Sequence, residues 1–208
     1  MIKQNAKLFA GICLAAVCAG CALWAEKKPA QAASKPAVVP LPAQMDWAPG
    51  VFELKASSAV RFDRHAAGAK EAAESLAAAL RPTTGLALPV KPEGWLGCSA
   101  SDISFVAPPE GRTFKAEGYA LRAGPRGATV AAGDAAGFFY GAQTLRQLLP
   151  NAAFGGPRAT NQVWQISGVE IEDAPRFPWR GVLLDEGRHF FGKAVVLGLL
   201  DDMALHKL

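Results

Sequence analysis

Short apolar runs separated by turn residues fill most of the chain, and they change character near its end. Val51, Phe52 and Leu54, then Val60 and Phe62, are brief runs broken by Ala48-Pro49-Gly50, which predicts strands and turns over residues 41–66. Ala66–Leu80 is built of good helix formers. Ala72, Leu76, Ala79 and Leu80 form one apolar stripe, and Arg81-Pro82 is expected to end the helix. Thr83–Val90 and Ile103–Val106 read as further strands. Glu117–Ala132 predicts a hairpin, with Tyr119 and Leu121 before a Gly-Pro-Arg-Gly turn and Thr129-Val130 after it. Asp134 is a suitable N-cap for a helix carrying Phe138, Phe139, Ala142, Leu145 and Leu148 at helical spacing, stopped by Pro150. Trp164–Ile171 reads as one more strand. Strands alternating with two helices over residues 41–173 predict an α+β domain, a mixed sheet with helices on one face.

After Asp173 the texture differs. Asp173–Pro178 is punctuated by proline. Trp179–Asp185 has the continuous apolar core of a buried strand, Glu186–Phe191 reads as a loop, and Gly192–Leu208 as a helix with Val195, Leu199, Met203 and Leu205 on its apolar side. Strand, loop and helix make one βα unit. Such a unit cannot stand alone, because its strand lacks a neighbour.

The amino terminus has its own pattern. Lys3 and Lys7 precede an apolar run from Leu8 to Ala19, too short to span a bilayer, which takes about 20 residues, and suited to a signal sequence. Ala19-Gly20-Cys21 resembles the end of a bacterial lipobox, with Cys18 where leucine is usual. Lipidation is therefore expected at Cys21, with ordinary signal cleavage nearby as the other outcome. Glu26–Pro40, rich in Lys, Pro and Ala, reads as a flexible tether. The expected divisions are 1–21 for export, 22–40 for the linker, 41–173 for the α+β domain and 174–208 for the βα unit. The expected location is the cell envelope, periplasm or outer membrane.

Composition narrows the function. Half of the 208 residues are hydrophobic, which excludes wholesale disorder. The net charge of +4 includes Lys3 and Lys7, so the rest carries +2, scattered without a basic run. That argues against a nucleic-acid surface. Cys13, Cys18 and Cys21 fall in the export segment and Cys98 stands apart, so neither an intrachain disulfide nor a thiolate zinc site is expected in the body. A complete (β/α)8 barrel takes about 250 residues, more than this chain has.

The run Asp173-Ala174-Pro175-Arg176-Phe177-Pro178-Trp179-Arg180-Gly181-Val182-Leu183-Leu184-Asp185-Glu186-Gly187-Arg188-His189-Phe190-Phe191 resembles the opening of the catalytic barrel of glycoside hydrolase family 20, the β-N-acetylhexosaminidases. Asp202–Leu208 is similar to the end of the helix that comes next there. Ala136–Leu149 is similar to the last helix of that family's non-catalytic α+β domain. The resemblance covers about residues 37–208. It implies an α+β domain followed by the first βα unit of a truncated (β/α)8 barrel, an amino-terminal fragment of an exo-acting enzyme. It also implies substrate-assisted retaining hydrolysis of terminal N-acetylglucosamine or N-acetylgalactosamine. In that scheme the 2-acetamido oxygen attacks the anomeric carbon, a glutamic acid protonates the leaving oxygen, and an aspartate beside it orients the acetamido group. No metal or organic cofactor is implied.

The resemblance puts that Asp-Glu pair on a later barrel strand, past Leu208. Asp185-Glu186 is a poor substitute, since neighbouring strand residues point to opposite faces. Asp201-Asp202 lies on a helix and reads as solvated. The chain as it stands is therefore expected to be inactive.

Arg188 falls where the family binds sugar hydroxyls, just past the carboxyl end of the first barrel strand, and a guanidinium fork suits two adjacent hydroxyls. The other reading of Arg188 is a structural ion pair with Asp185 or Glu186, and Asp185 is a supporting residue of the site. Arg180, at the other end of that strand, reads as structural. His189 reads as a packed loop residue, and His65 and His206 have no partner spacing. Trp164 and Trp179 read as core or interface residues rather than sugar platforms. The other reading of the whole chain is a surface-anchored, non-catalytic carbohydrate-binding or interaction module, or the front part of a related barrel glycosidase.

Overall fold

A seven-stranded mixed sheet carries the fold. The structure is a computed structural model that describes residues 37–94, 99–155 and 157–208. The expected export segment with Cys21, most of the tether, and Cys98 lie outside the described residues.

The strands are β1 (Gln44–Leu54), β2 (Val60–Phe62), β3 (Val90–Pro92), β4 (Ile103–Val106), β5 (Tyr119–Gly124), β6 (Gly127–Ala132) and β7 (Trp164–Asp173). Their order is β1-β7-β5-β6-β4-β2-β3. The β1–β7–β5–β6 half is antiparallel and the β6–β4–β2–β3 half is parallel. Helices α1 (Ala69–Thr84) and α2 (Ala135–Leu148) pack on one another and on the sheet, so they share one face.

Strand alternation sorts the two faces. Leu121 pairs with Val130 and Ile171, Val130 pairs with Phe105, and all are buried beneath the helices. The intervening residues form the other face, where Arg122 pairs with Glu170 at 2.9 Å and Arg112 with Glu172 at 2.6 Å. Phe105 meets Phe138 edge-to-face with centroids 6.1 Å apart, locking α2 to β4. Gly141 lets α2 approach closely, since a Cβ there would lie 2.4 Å from Val130 Cγ1.

The hairpin at Gly124–Gly127 forms as expected. The Asp134 side chain caps α2 by accepting from Gly137 N at 2.7 Å, and it also accepts from Glu117 N at 2.8 Å.

Several expectations are corrected. The first helix starts at Ala69 rather than Ala66 and runs through Pro82 to Thr84. Proline forfeits one backbone bond there, but Thr84 Oγ1 donates to Leu80 O at 2.6 Å and Gly85, at φ +68°, closes the helix. The strand expected at Thr83–Val90 shrinks to Val90–Pro92. The Arg81 guanidinium holds the carbonyls of Ala87 and Leu88 at 3.0 and 2.9 Å, which pins the intervening chain in a non-strand path. The tether ends before Pro40. Val38 is buried in the core, and the Gln147 amide both donates to and accepts from the Val39 backbone at 2.7 Å.

The strand expected at Trp179–Asp185 is irregular, because among the described residues no strand lies beside it to supply hydrogen bonds. Leu183 is 97% exposed and Val182 is also exposed. The helix after it, α3 (Lys193–Leu205), has no fully buried residue. Val196, Leu199 and Met203 form its half-buried side, whereas Val195, expected there, is exposed.

Candidate functional site

Residues 185–191 form a tight loop organised by carboxylates. Asp185 accepts from the backbone N–H groups of Gly187 and Arg188, each at 3.0 Å, and from Arg188 Nε. The Arg188 backbone N–H, then its guanidinium, and least the Gly187 N–H, hold the Asp185 carboxyl below its ordinary pKa. Arg188 is 91% exposed in its side chain, so its remaining guanidinium N–H groups face solvent. Glu186 has a different partner, with Oε2 accepting from Phe191 N at 3.1 Å. Asp185 and Glu186 therefore brace different parts of the loop. The His189 ring packs edge-to-face on Phe191 at 4.6 Å.

A second cluster fixes the segment that bears this loop. Arg180 donates to the carbonyls of Phe177 (2.6 Å) and Lys207 (2.8 Å), to Glu117 Oε2, and to Tyr140 Oη at 3.0 Å. Burial alone would lower its pKa, but the bonds to Glu117 and Tyr140 outweigh that and raise it. Lys207 Nζ donates to Tyr119 Oη and Asp173 Oδ2, both at 2.8 Å. Tyr119 Oη in turn donates to Asp173 Oδ2 at 2.9 Å and lies 2.6 Å from Thr144 Oγ1. Burial lowers the Lys207 pKa, and Asp173 partly offsets it. Burial, and then the Asp173 charge, raise that of Tyr119.

Arg180 thus holds the structural place expected of it. Trp164 is in the core, whereas Trp179 is 84% exposed and so does not pack in the core of the described residues. His65 and His206 are exposed. Asp201 and Asp202 are exposed on α3, as a solvated pair would be. Among the described residues no group of His, Cys, Asp and Glu could hold a metal ion. Lys207, Gln147 and Glu117 were not singled out from sequence. Their partners lie 34 to 108 residues away, a distance no local pattern conveys.

Comparison with known proteins decides the affiliation. Residues 35–174 match the family model described as glycosyl hydrolase family 20, domain 2, and residues 177–208 match that family's catalytic domain. The chain belongs to glycoside hydrolase family 20. A beta-hexosaminidase of Porphyromonas gingivalis is 33% identical over 175 residues, which is 82% of this chain and 21% of that protein. The family 20 β-N-acetylhexosaminidase of Streptomyces coelicolor A3(2) superposes with a TM-score of 0.73 at 36% identity, over 84% of this chain and 34% of its own. The Streptomyces plicatus N-acetyl-β-hexosaminidase, solved with Thio-NAglucal, gives 0.72 at 37% identity, over 83% and 34%. The chain spans about a fifth of the length of the first of these curated relatives and about a third of the solved structures.

Proposed function

We propose that this chain is the amino-terminal part of an exported, exo-acting β-N-acetylhexosaminidase that hydrolyses terminal N-acetylglucosamine or N-acetylgalactosamine from glycans. One observation carries the reading: two family 20 models, the accessory domain and then the catalytic domain, match consecutive stretches of one chain. In this reading residues 41–173 are the accessory α+β domain and 174–208 the first βα unit of the (β/α)8 barrel.

The exposure of Leu183, Phe190, Val195, Leu197 and Leu200 supports this assignment. An isolated soluble module rarely leaves such a surface bare. In a barrel, residues 179–185 would gain a parallel neighbour on each side, and this apolar surface would be covered. The same exposure counts against a self-contained binding module.

Arg188 is the sugar-binding residue of this segment. Its fork would engage two adjacent hydroxyls of the terminal sugar, with Asp185 holding the guanidinium in place. The general acid and the aspartate that orients the acetamido group would come from a later strand past Leu208. Catalysis would then be retaining, with the substrate's own acetamido oxygen as nucleophile. Lipidation at Cys21 would place the enzyme on the cell envelope. Neither nucleic acid nor a cofactor has a part in this reading.

The test compares this chain with the product of the extended reading frame on p-nitrophenyl N-acetyl-β-D-glucosaminide. Activity confined to the longer product is the expected result. Activity of the 208-residue chain alone would overturn the assignment of the catalytic pair to a later strand.

A further inference from the structure

Lys207 combines two features that are unfavourable for a lysine. Its backbone is left-handed, with φ +62°, and its side chain is buried, the residue being 5% exposed. The backbone follows from how α3 ends. Lys207 N donates to Ala204 O at 3.2 Å and Leu208 N to Met203 O at 2.9 Å, the paired bonds of a Schellman motif. Glycine is the usual residue at that position, because it adopts positive φ without a Cβ clash. A lysine there needs a reason in its side chain, and the side chain reaches Tyr119 and Asp173 on the α+β domain.

The remaining anchors of the segment gather at the same corner. Arg180 Nε donates to the carbonyl of Lys207 itself, 27 residues on, so the two ends of the segment are tied together. Gln147 Nε2 donates to Leu205 O at 2.9 Å. Between these ends α3 has no fully buried residue, so apolar packing does little to orient the loop that bears Arg188. Directional polar bonds do that instead.

We propose that Lys207 is a positioning residue: by bonding Asp173 and Tyr119 it latches the segment 180–207 to the α+β domain and so sets where Arg188 meets the sugar. This rests on the assignment of Arg188 as the sugar-binding residue. It also assigns the accessory domain a role in substrate binding, exerted through Asp173 at the end of β7 and Tyr119 at the start of β5.

The test uses the double variant D173N/K207G in the enzyme that carries this chain. Glycine suits the left-handed backbone, and asparagine leaves no unpaired buried charge, so the variant is designed to fold as stably as the parent. The latch predicts a KM for p-nitrophenyl N-acetyl-β-D-glucosaminide raised about tenfold with kcat within about twofold, the signature of lost uniform binding. It also predicts faster amide exchange over residues 181–192 with β5 and β7 unchanged. In an enzyme whose KM depends on Arg188, a purely structural role for Lys207 predicts faster exchange with parental kinetics, and that result, like parental exchange, overturns the proposal.

Arg188→Ala is the control for sugar binding itself. An R188A enzyme with unchanged KM would overturn sugar binding by Arg188, while faster exchange in the double variant would still support the latch. Should the double variant not fold, Tyr119→Phe removes one of the two acceptors of the lysine amine and is read by the same two measurements.

Discussion

Lys207 Nζ lies 2.8 Å from Asp173 Oδ2, so the last turn of the catalytic segment is bonded to the last residue of the accessory sheet. With Arg180 at the other end, the segment is closed at its base and open along its length. The accessory domain is thus more than a neighbour of residues 177–208. It supplies the corner on which they are built.

Asp102 links the parallel half of the sheet. Its carboxylate is buried and accepts from Ala59 N at 2.9 Å, Ser99 N at 3.0 Å and Arg61 Nε at 2.6 Å. Desolvation would raise its pKa, but Arg61 and the two amides outweigh that and hold it below the ordinary 3.8. The unfolded chain therefore takes up the proton first as pH falls. The stabilisation is fully present above pH 3.8 and is lost as pH drops through the folded value. Asp102→Asn should lower stability at neutral pH by about 1–3 kcal/mol and flatten the acid limb of the stability curve. Denaturant melts of both proteins across the acid range up to neutral pH check this, and parallel acid limbs would contradict it.

Gly141 sets two effects against each other. Alanine would gain roughly 1 kcal/mol of helix propensity. Its Cβ would lie 2.4 Å from Val130 Cγ1 and 3.2 Å from Tyr119 Cδ2, in a face already filled. Overpacking of that kind costs about 1–3 kcal/mol. The clash should win, so Gly141→Ala lowers the melting temperature, and a higher one would show that α2 can shift outward freely.

Much of the accessory domain was legible because its signals are local. The Asp134 cap, the Gly-Pro-Arg-Gly hairpin and the Phe138-to-Leu148 stripe each lie within a few turns of chain. Pro82 misled because the helix runs only two residues past it, where the Thr83 and Thr84 hydroxyls donate to Leu80 O at 3.2 and 2.6 Å and Gly85 supplies the cap. Residues 179–185 carry the composition of a strand, yet strand geometry comes from partners that the described residues do not supply. An ion pair of Arg188 with Asp185 or Glu186 was legible because both lie within three positions of it, and the fold selects Asp185. The anchorage through Lys207 was not, because that contact joins residues far apart in sequence.

Asp134 has two roles, capping α2 and holding Glu117 N. Glu117 is itself left-handed, with φ +62°, and pairs with Arg180. Asp134→Ala should cost about 1–2 kcal/mol and loosen Arg180 as well. Thermal melts measure the first effect. Amide exchange at residues 177–182 measures the second, and unchanged exchange there would separate the cap from the clamp.

Leu183 distinguishes the chain from the barrel it is proposed to begin. At 97% exposure it contributes little here, so Leu183→Asp should change the stability of the 208-residue chain by less than about 0.5 kcal/mol. In the longer enzyme the same change would place a carboxylate in a barrel wall and abolish soluble, active protein. Equal tolerance in both contexts would argue that Leu183 is never covered.

The proposed function has the substrate supply its own nucleophile in the enzyme that carries this chain. The most direct measurement gives the enzyme two glycosides that differ only at C2, p-nitrophenyl N-acetyl-β-D-glucosaminide and p-nitrophenyl β-D-glucoside, and follows the first-formed anomer by NMR. Substrate-assisted catalysis predicts cleavage of the acetamido sugar with retention and no turnover of the glucoside. Comparable turnover of both sugars, or an inverted product, would contradict it.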